Sequence, residues 1–162
     1  MSPNIRPAPG AAPFVFLAVV PPADGDLRLA LAACTPAGDS PWGVPAYSFR
    51  MLNPRGEYLG RISLRVGWNE DRIRYAGQVG YAVEPAHRGH RYAERACRLI
   101  VPLAKRHRMA SLWITCQPDN LASRRTVERL GAQPVGVIDV PPTYPVDTGA
   151  ERRKMCFRLL LQ

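Results

Sequence analysis

A short basic segment, residues 88–93, carries the residue types that bind an anion. It follows an apolar run, residues 78–83, that predicts a buried strand, and it reads Arg88, Gly89, His90, Arg91, Tyr92 and Ala93. A strand that passes through a glycine-containing turn into a helix leaves several backbone N–H groups unpaired at one point. These donors, the helix dipole and the arginine side chains would together bind a phosphate. Each dipole contact contributes only about 0.3–2 kcal/mol, so several must act together.

A second segment places polar residues directly after another predicted strand. Residues 112–116 (LWITC) are apolar and partly β-branched, and Pro118 ends the run. Asp119 or Asn120 would cap the next helix, residues 121–130, and Gly131 would end it.

The two segments resemble the acyl-CoA-binding motifs of the GNAT superfamily of N-acyltransferases. The first fits the family pattern Q/R-x-x-G-x-G/A at Arg88 and Ala93 and departs from it at Arg91, where the family usually has glycine. The second matches the family at Asn120, Ser123, Leu130 and Gly131. Both come in the family's order, and their style is nearest to the ribosomal-protein N-terminal acetyltransferase branch.

The resemblance implies an α+β fold. Its central sheet would be mixed, mostly antiparallel and splayed between the family's fourth and fifth strands, with helices on its faces. The family usually has two helices between its first and second strands. Here residues 35–45 contain three prolines (Pro36, Pro41 and Pro45) and are too few, which predicts reduced helices and an open acceptor pocket.

The resemblance also implies an activity: direct transfer of an acetyl group from acetyl-CoA, as co-substrate, to a primary amine in a ternary complex, without a metal. Pantetheine would pair with the backbone of Tyr81 and Val83 and would bind Asn120 beside Ser123. The backbone N–H groups of residues 88–93 would bind the pyrophosphate.

The sequence does not decide which residues act as the general acid and the general base. Many family members place a tyrosine acid seven residues after the motif asparagine, and this chain has Val127 there. Three candidates for catalysis are Ser123, Glu84 and Tyr144. Glu84 could equally be an exposed turn residue and Tyr144 a surface residue of the proline-containing loop 141–151. His87 and His90 could act as bases or lie at the rim, and ordered water could carry the proton.

Other spans predict the remaining elements. Residues 27–34 suit a helix or a strand, with the strand favoured by the alternation around Arg28. Strands are predicted at 14–20, 46–52, 58–66, 135–140 and 153–161. A helix is predicted from about residue 90 to 108, with Pro102 kinking it or removing one backbone bond.

Composition permits this assignment and leaves one alternative. With 162 residues, a single domain over residues 14–162 is expected, after an arm, residues 1–13, that holds four prolines. The four cysteines lack metal-ligand spacing and are typical of reduced thiols in a cytoplasmic protein. No apolar run is long enough to span a bilayer. A homodimer stays open.

Three functions therefore remain. The first is an N-acetyltransferase, and the second is an acyl-CoA-binding protein without turnover, suggested by Arg91 and the missing tyrosine. The third follows from the net charge of +9, which is almost entirely arginine and could attract a nucleic acid. No nucleic-acid-binding motif supports that third function, and it ranks last.

Overall fold

The computed structural model describes residues 12–146 and 148–162, which form two antiparallel sheets. The first has five strands in the order β1-β2-β3-β4-β5, and the second has three in the order β6-β8-β7. The strands are β1 Ala23–Asp24, β2 Leu27–Thr35, β3 Ala46–Leu52, β4 Tyr58–Arg65, β5 Val79–Val83, β6 Ser111–Cys116, β7 Gln133–Asp139 and β8 Arg153–Leu160. The helices are α1 Ile73–Ala76, α2 Tyr92–Arg106 and α3 Leu121–Arg129, with a 3₁₀ turn at Pro85–His87.

The predicted α+β fold is confirmed, and the ambiguous segment after residue 26 is a strand. No helix lies between β2 and β3 in the part of the chain that is described, as the prolines of that connection predicted. Helix α2 continues through Pro102, which removes one backbone hydrogen bond without ending the helix. Helix α1 was not predicted. The predicted arm, residues 1–13, lies almost wholly outside the described residues.

Helix α2 covers one face of the first sheet, where the main core forms. Alternate residues of β4, Ile62 and Leu64, are buried on that face, and α2 contributes Ala96, Cys97 and Ile100. Because strand residues alternate between faces, Ser63 and Arg65 lie on the opposite side of the sheet. Within the described residues, no helix has the length and hydropathy needed to cross a membrane.

The prediction of a strand at residues 14–20 is wrong. The segment has no regular structure, although Phe16 and Leu17 pack against the core. Its backbone bonds to side chains instead of a neighbouring strand: the N–H of Leu17 donates to Oη of Tyr47 (2.7 Å), and Arg106 donates to the carbonyl of Ala18 (2.8 Å). In this segment, hydrogen bonds to side chains therefore replace the backbone hydrogen bonds of a paired strand.

A single glutamine joins the two sheets. The backbone N–H of Gln78 donates to the carbonyl of Trp113 (2.7 Å), and the N–H of Trp113 donates to Oε1 of Gln78 (2.8 Å). Nε2 of Gln78 donates to the carbonyl of Gly67 (2.9 Å). Beside it Gly77 has φ +78°, and a Cβ there would lie 3.1 Å from the Trp113 carbonyl oxygen. Beyond this junction β5 and β6 share no ladder and diverge, which is the predicted splay.

We expect Gln78→Ala to lower the free energy of unfolding by about 1–3 kcal/mol, because it leaves the N–H of Trp113 without its acceptor. The melting temperature should fall by about 2–4 °C for each kcal/mol. Urea unfolding of wild type and variant measures the loss. The control is Gln133→Ala, whose side chain is exposed on β7. An equal effect of the two substitutions would contradict a joining role for Gln78.

A second prediction concerns pH. Oη of Tyr47 accepts from the N–H of Leu17 and lies 2.7 Å from Nε2 of His107. We infer that the phenol donates to this nitrogen, which requires a neutral imidazole. Burial lowers the pKa of His107, and the neighbouring Arg106 charge lowers it further. A histidine with a lowered pKa contributes stability above its unfolded pKa of about 6.5. That contribution disappears as the pH falls through the folded-state pKa.

The unfolding free energies of wild type and His107→Gln should therefore differ most above about pH 6.5 and converge towards pH 5. Glutamine keeps an acceptor for the Tyr47 proton but does not titrate in this range. The control is His90→Gln, which makes the same replacement at an exposed position away from the Tyr47 contact. A difference between wild type and His107→Gln that is constant with pH would refute the neutral-histidine contact.

Candidate functional site

The loop between β5 and α2 presents a cluster of unpaired donors. The first backbone bond of α2 runs from the N–H of Arg95 to the carbonyl of Arg91 (3.0 Å). Among the described residues, the six backbone N–H groups of residues 89–94 have no protein acceptor. Such a group of donors at a helix start favours an anion. The predicted phosphate-binding residues therefore lie together at the start of α2.

Two left-handed residues shape this loop. Gly89 has φ +91° and Arg91, directly before α2, has φ +57°. Arg91 occupies the position that the motif usually gives to glycine, and the left-handed conformation explains that preference. The arginine adopts it at a cost of about 1–2 kcal/mol. Its side chain is exposed, so the backbone donors stay open to solvent.

Helix α2 is held at its first turn by a small polar network. Oη of Tyr92 donates to Oδ2 of Asp26 (2.6 Å), and Arg95 forms ion pairs with Asp24 (2.8 Å) and Asp26 (2.7 Å). The hydrogen bond from Tyr92 lowers the pKa of the Asp26 carboxyl. Tyr92 therefore offers only its backbone to an anion, because its phenol is directed to the turn between β1 and β2. The exposed His90 ring lies beside it, with ring centroids 5.5 Å apart.

Strand β5 has an open edge beside this loop. The carbonyl of Gln78 accepts from β4, and the N–H of Glu84 donates to the carbonyl of Leu59 (2.9 Å), so even-numbered residues bond to β4. The backbone groups of Val79, Tyr81 and Val83 must then point to the other edge, which no described strand pairs. Nε of Arg88 donates to the carbonyl of Val83 (3.2 Å) across the end of that edge. Tyr81 and Val83, to which the resemblance assigned the pairing with pantetheine, therefore have backbone groups on an edge that no described strand pairs.

Across the splay, a tyrosine and a serine form a hydrogen-bonded pair. Oη of Tyr81 lies 2.8 Å from Oγ of Ser123. Ser123 is held in place by its N–H, which donates to Oδ1 of Asn120 (3.1 Å), the cap of α3. Burial raises the pKa of Tyr81, with the bond to Ser123 acting in the opposite direction. The phenol is therefore protonated at neutral pH, and either of the two hydroxyl groups can donate to the other.

Sequence reasoning missed the side chain of Tyr81 and considered only its backbone. At the position where many family members carry a tyrosine acid, Val127 is fully buried in the core. The phenol in this region comes instead from β5 and reaches Ser123, one turn earlier on α3. One sequence signal was available, because a tyrosine on the buried face of a strand needs a partner for its hydroxyl.

The other predicted catalytic residues lie elsewhere. Glu84 is exposed at the end of β5. Tyr144 packs against Tyr75, with ring centroids 5.3 Å apart, and burial raises its pKa. The charge of Arg65 lowers the pKa of Tyr144, against the effect of burial. Among the described residues, no side-chain hydrogen bond joins Ser123 to Glu84 or to Tyr144.

The loop between β2 and β3 closes over the sheet face opposite α2. The carbonyl of Trp42 accepts from Nδ2 of Asn69 (2.6 Å), and the Trp42 ring lies over the guanidinium of Arg65. The short connection therefore covers part of the face that was expected to be open.

A large cleft lies at the other end of β5 and β6. It measures about 740 Å³ and is lined by Trp68, Gln78, His107, Trp113 and Arg158, among others. None of the predicted site residues lines it. Within residues 12–146 and 148–162, no group of three His, Cys, Asp or Glu side chains is placed to bind a metal ion.

Several solved acetyltransferase structures are similar to this fold. Ribosomal-protein-S5-alanine acetyltransferase from Vibrio fischeri is 18% identical with a TM-score of 0.58, over 72% of this chain and 62% of its own. An acetyltransferase from Salmonella typhimurium that modifies the N-terminal serine of ribosomal protein L7/L12 is 17% identical with a TM-score of 0.56, over 72% of this chain and 64% of its own.

A third neighbour is the microcin C7 self-immunity acetyltransferase MccE, solved in complex with acetyl-CoA and AMP. It is 16% identical with a TM-score of 0.56, over 71% of this chain and 61% of its own. The chain thus spans less than two thirds of the length of these neighbours, which include the ribosomal-protein acetyltransferases that the motif style predicted. A search of curated proteins found no significant match.

A family model adds the decisive sequence evidence. The model of the acetyltransferase (GNAT) domain matches residues 18–133, which is well over half of the chain and includes both motifs. The splayed strands, the donor loop before α2 and the capped α3 all lie within the matched region. The chain belongs to the GNAT acetyltransferase family.

Proposed function

We propose that this protein transfers the acetyl group of acetyl-CoA to a primary amine by direct attack in a ternary complex. The observation that carries the proposal is the open space between β5 and β6, which has the unpaired N–H groups of residues 89–94 at its entrance. Family membership and the acetyl-CoA bound by the MccE neighbour support it. Four unpaired thiols, three of them buried, support a cytoplasmic location.

The cofactor would bind along the splay. Its pyrophosphate would accept from the N–H groups of residues 89–94, with Arg88 adding positive charge. Its pantetheine would pair with the open backbone edge at Tyr81 and Val83 as an added strand does. Asn120 uses Oδ1 to cap α3, and its Nδ2 is the group that would donate to the pantetheine arm.

At neutral pH the amine, whose pKa is near 10, is an ammonium ion, and it would lose one proton through ordered water or Glu84 before it attacks. The amine nitrogen then attacks the thioester carbonyl carbon, and the N–C bond forms. A backbone N–H on the open edge of β5 would stabilise the oxyanion. As the C–S bond breaks, Ser123 would protonate the departing sulfur and Tyr81 would restore the serine proton. The second proton of the attacking nitrogen would return to Tyr81 through ordered water, so that both hydroxyl groups end protonated.

A second candidate function is acyl-CoA binding without turnover. Two observations favour it: Val127 stands in the core at the usual acid position, and Arg88 occupies the carbonyl of Val83 at the open edge. A measurement of acetyl transfer distinguishes the acetyltransferase from the acyl-CoA-binding protein.

The first stage of the test is calorimetric titration with acetyl-CoA. We expect saturable binding that Arg88→Glu weakens at least about tenfold, because the variant places a negative charge beside the phosphates. The control is Arg28→Glu, an equal charge change at an exposed position on β2, which should bind as the wild type does. No binding at millimolar acetyl-CoA would refute both candidate functions.

The second stage measures acetyl transfer to a panel of primary amines. Tyr81→Phe and Ser123→Ala should each reduce kcat by roughly 100-fold while acetyl-CoA still binds, which is the usual effect of losing a proton-transfer group. Binding without transfer to any amine would instead identify the acyl-CoA-binding function.

Arg91 provides a separate prediction about the donor loop. Arg91→Gly should raise the free energy of unfolding by about 0.5–1 kcal/mol, because glycine adopts the left-handed conformation without steric cost. Acetyl-CoA affinity should change by less than about threefold, since backbone donors make most of the contacts. Arg91→Ala removes the same charge but keeps the strained conformation, so it should show no stabilisation. A large loss of affinity in both variants would assign phosphate binding to the arginine side chain.

A further inference from the structure

Arg65 is a buried cation on the sheet face opposite α2. It is the last residue of β4 and is 7% exposed. Its guanidinium lies under the ring of Trp42, with Cζ 4.0 Å from the ring centroid. Nη1 donates to the carbonyls of Ala76 (2.8 Å) and Gly77 (2.9 Å), at the end of α1. These contacts fix the side chain and use one of its three nitrogens.

The other two nitrogens have no protein acceptor among the described residues. Nε is fully buried without a partner, and Nη2 makes no hydrogen bond to this part of the chain. No described carboxylate forms an ion pair with Arg65. Burial lowers its pKa to about 10. A buried charge without a counter-ion is costly, so an anion bound here would offset a large desolvation cost. The bonds that Arg65 makes to the end of α1 explain the role of Nη1 but not that of the other two nitrogens.

The free end of Arg65 lies over β5, at the residue before Tyr81. A Cβ added to Gly80 would collide with Nη2, so the guanidinium lies directly over that glycine. Gly80 precedes Tyr81, whose side chain crosses to the opposite face and meets Ser123. Arg65 and the Tyr81–Ser123 pair therefore flank the same stretch of β5 from two sides. The ring of Trp42 covers the guanidinium from outside the sheet.

We propose that Arg65 binds a carboxylate of the acceptor, so that the substrate is a small molecule carrying both a primary amine and a carboxylate. The inference rests on the proposed acetyl transfer and specifies its acceptor. The carboxylate would accept from Nη2 on the face opposite α2, while the amine would reach the thioester in the splay. Because Gly80 has no side chain, Nη2 can lie directly over its backbone, beside Tyr81 in the sequence.

The experiment compares matched acceptors with the wild-type protein and acetyl-CoA. Each set contains an α-amino acid, its amide and the corresponding decarboxylated amine. We expect kcat/KM for the amino acid to exceed that of the other two by on the order of 10-fold or more, mainly through KM, as for a charge-assisted hydrogen bond. The amide has the less basic amine, which biases the comparison against the proposal. Transfer without preference for the carboxylate overturns the proposal while acetyl transfer itself stands. Transfer to no amine at all refutes the proposed function.

Two variants assign the preference to Arg65. Arg65→Gln should raise KM for the amino acid to the level of its amide and leave KM for the amide and the affinity for acetyl-CoA unchanged. Gly80→Ala should have the same effect by displacing the guanidinium without removing its charge. Melting curves report whether each variant folds, and the wild-type comparison stands without them. A preference that persists in both folded variants overturns the assignment.

Asp147, three residues after Tyr144 in the sequence, lies outside the described residues and provides a further test. Asp147→Asn should leave the carboxylate preference as it is in the wild type. A preference that appears only in Asp147→Asn would identify an internal counter-ion for Arg65 and overturn the proposal.

Discussion

The arrangement of the site depends on the junction at Gln78. Its backbone and side chain together satisfy the N–H and carbonyl of Trp113, while Nε2 is held by Gly67. The two sheets are therefore fixed to each other at one end of β5 and β6 and are free to diverge at the other. A continuous ladder between these strands would have paired the backbone of Tyr81 and Val83 and closed the space for a ligand. The open edge exists because pairing stops after one residue.

Helix α2 fixes the position of the unpaired N–H groups of residues 89–94 relative to the gap between β5 and β6. The core residues of α2 pack on the first sheet, and the network of Tyr92, Asp26 and Arg95 fixes its first turn. The unpaired N–H groups consequently have a fixed position relative to the edge of β5. Pre-organised donors of this kind bind an anion without a further ordering cost. The helix thus supplies both core packing and a fixed group of unpaired N–H donors.

The two faces of β5 differ in chemistry. Tyr81 and Ser123 lie on the side of the helices, where protonated hydroxyl groups face the splay. Arg65 and Trp42 lie on the other side, where the guanidinium lies under the indole ring. Because side chains alternate along a strand, Gly80 faces Arg65 on one side and the next residue, Tyr81, faces Ser123 on the other. A cofactor on one side and an acceptor on the other could meet between β5 and β6.

The sequence by itself determined the elements with strong local signals. The strand before residue 84, a helix cap at Asp119 or Asn120 and the helix end at Gly131 follow from periodicity and from capping chemistry that acts over a few residues. The structure assigns the cap to Asn120. The resemblance added the order of the motifs and the splay. Residues 14–20 have an apolar pattern that suits a strand, yet their backbone partners are the side chains of Tyr47 and Arg106, distant in sequence.

Only the tertiary structure showed that Tyr81 meets Ser123 and that Arg65 is enclosed without a described counter-ion. It also showed that Tyr144 packs against Tyr75. These facts depend on which face of each strand is covered and by what, and such contacts join residues tens of positions apart. Local patterns specify the elements, whereas the pairing of side chains across them is decided by packing.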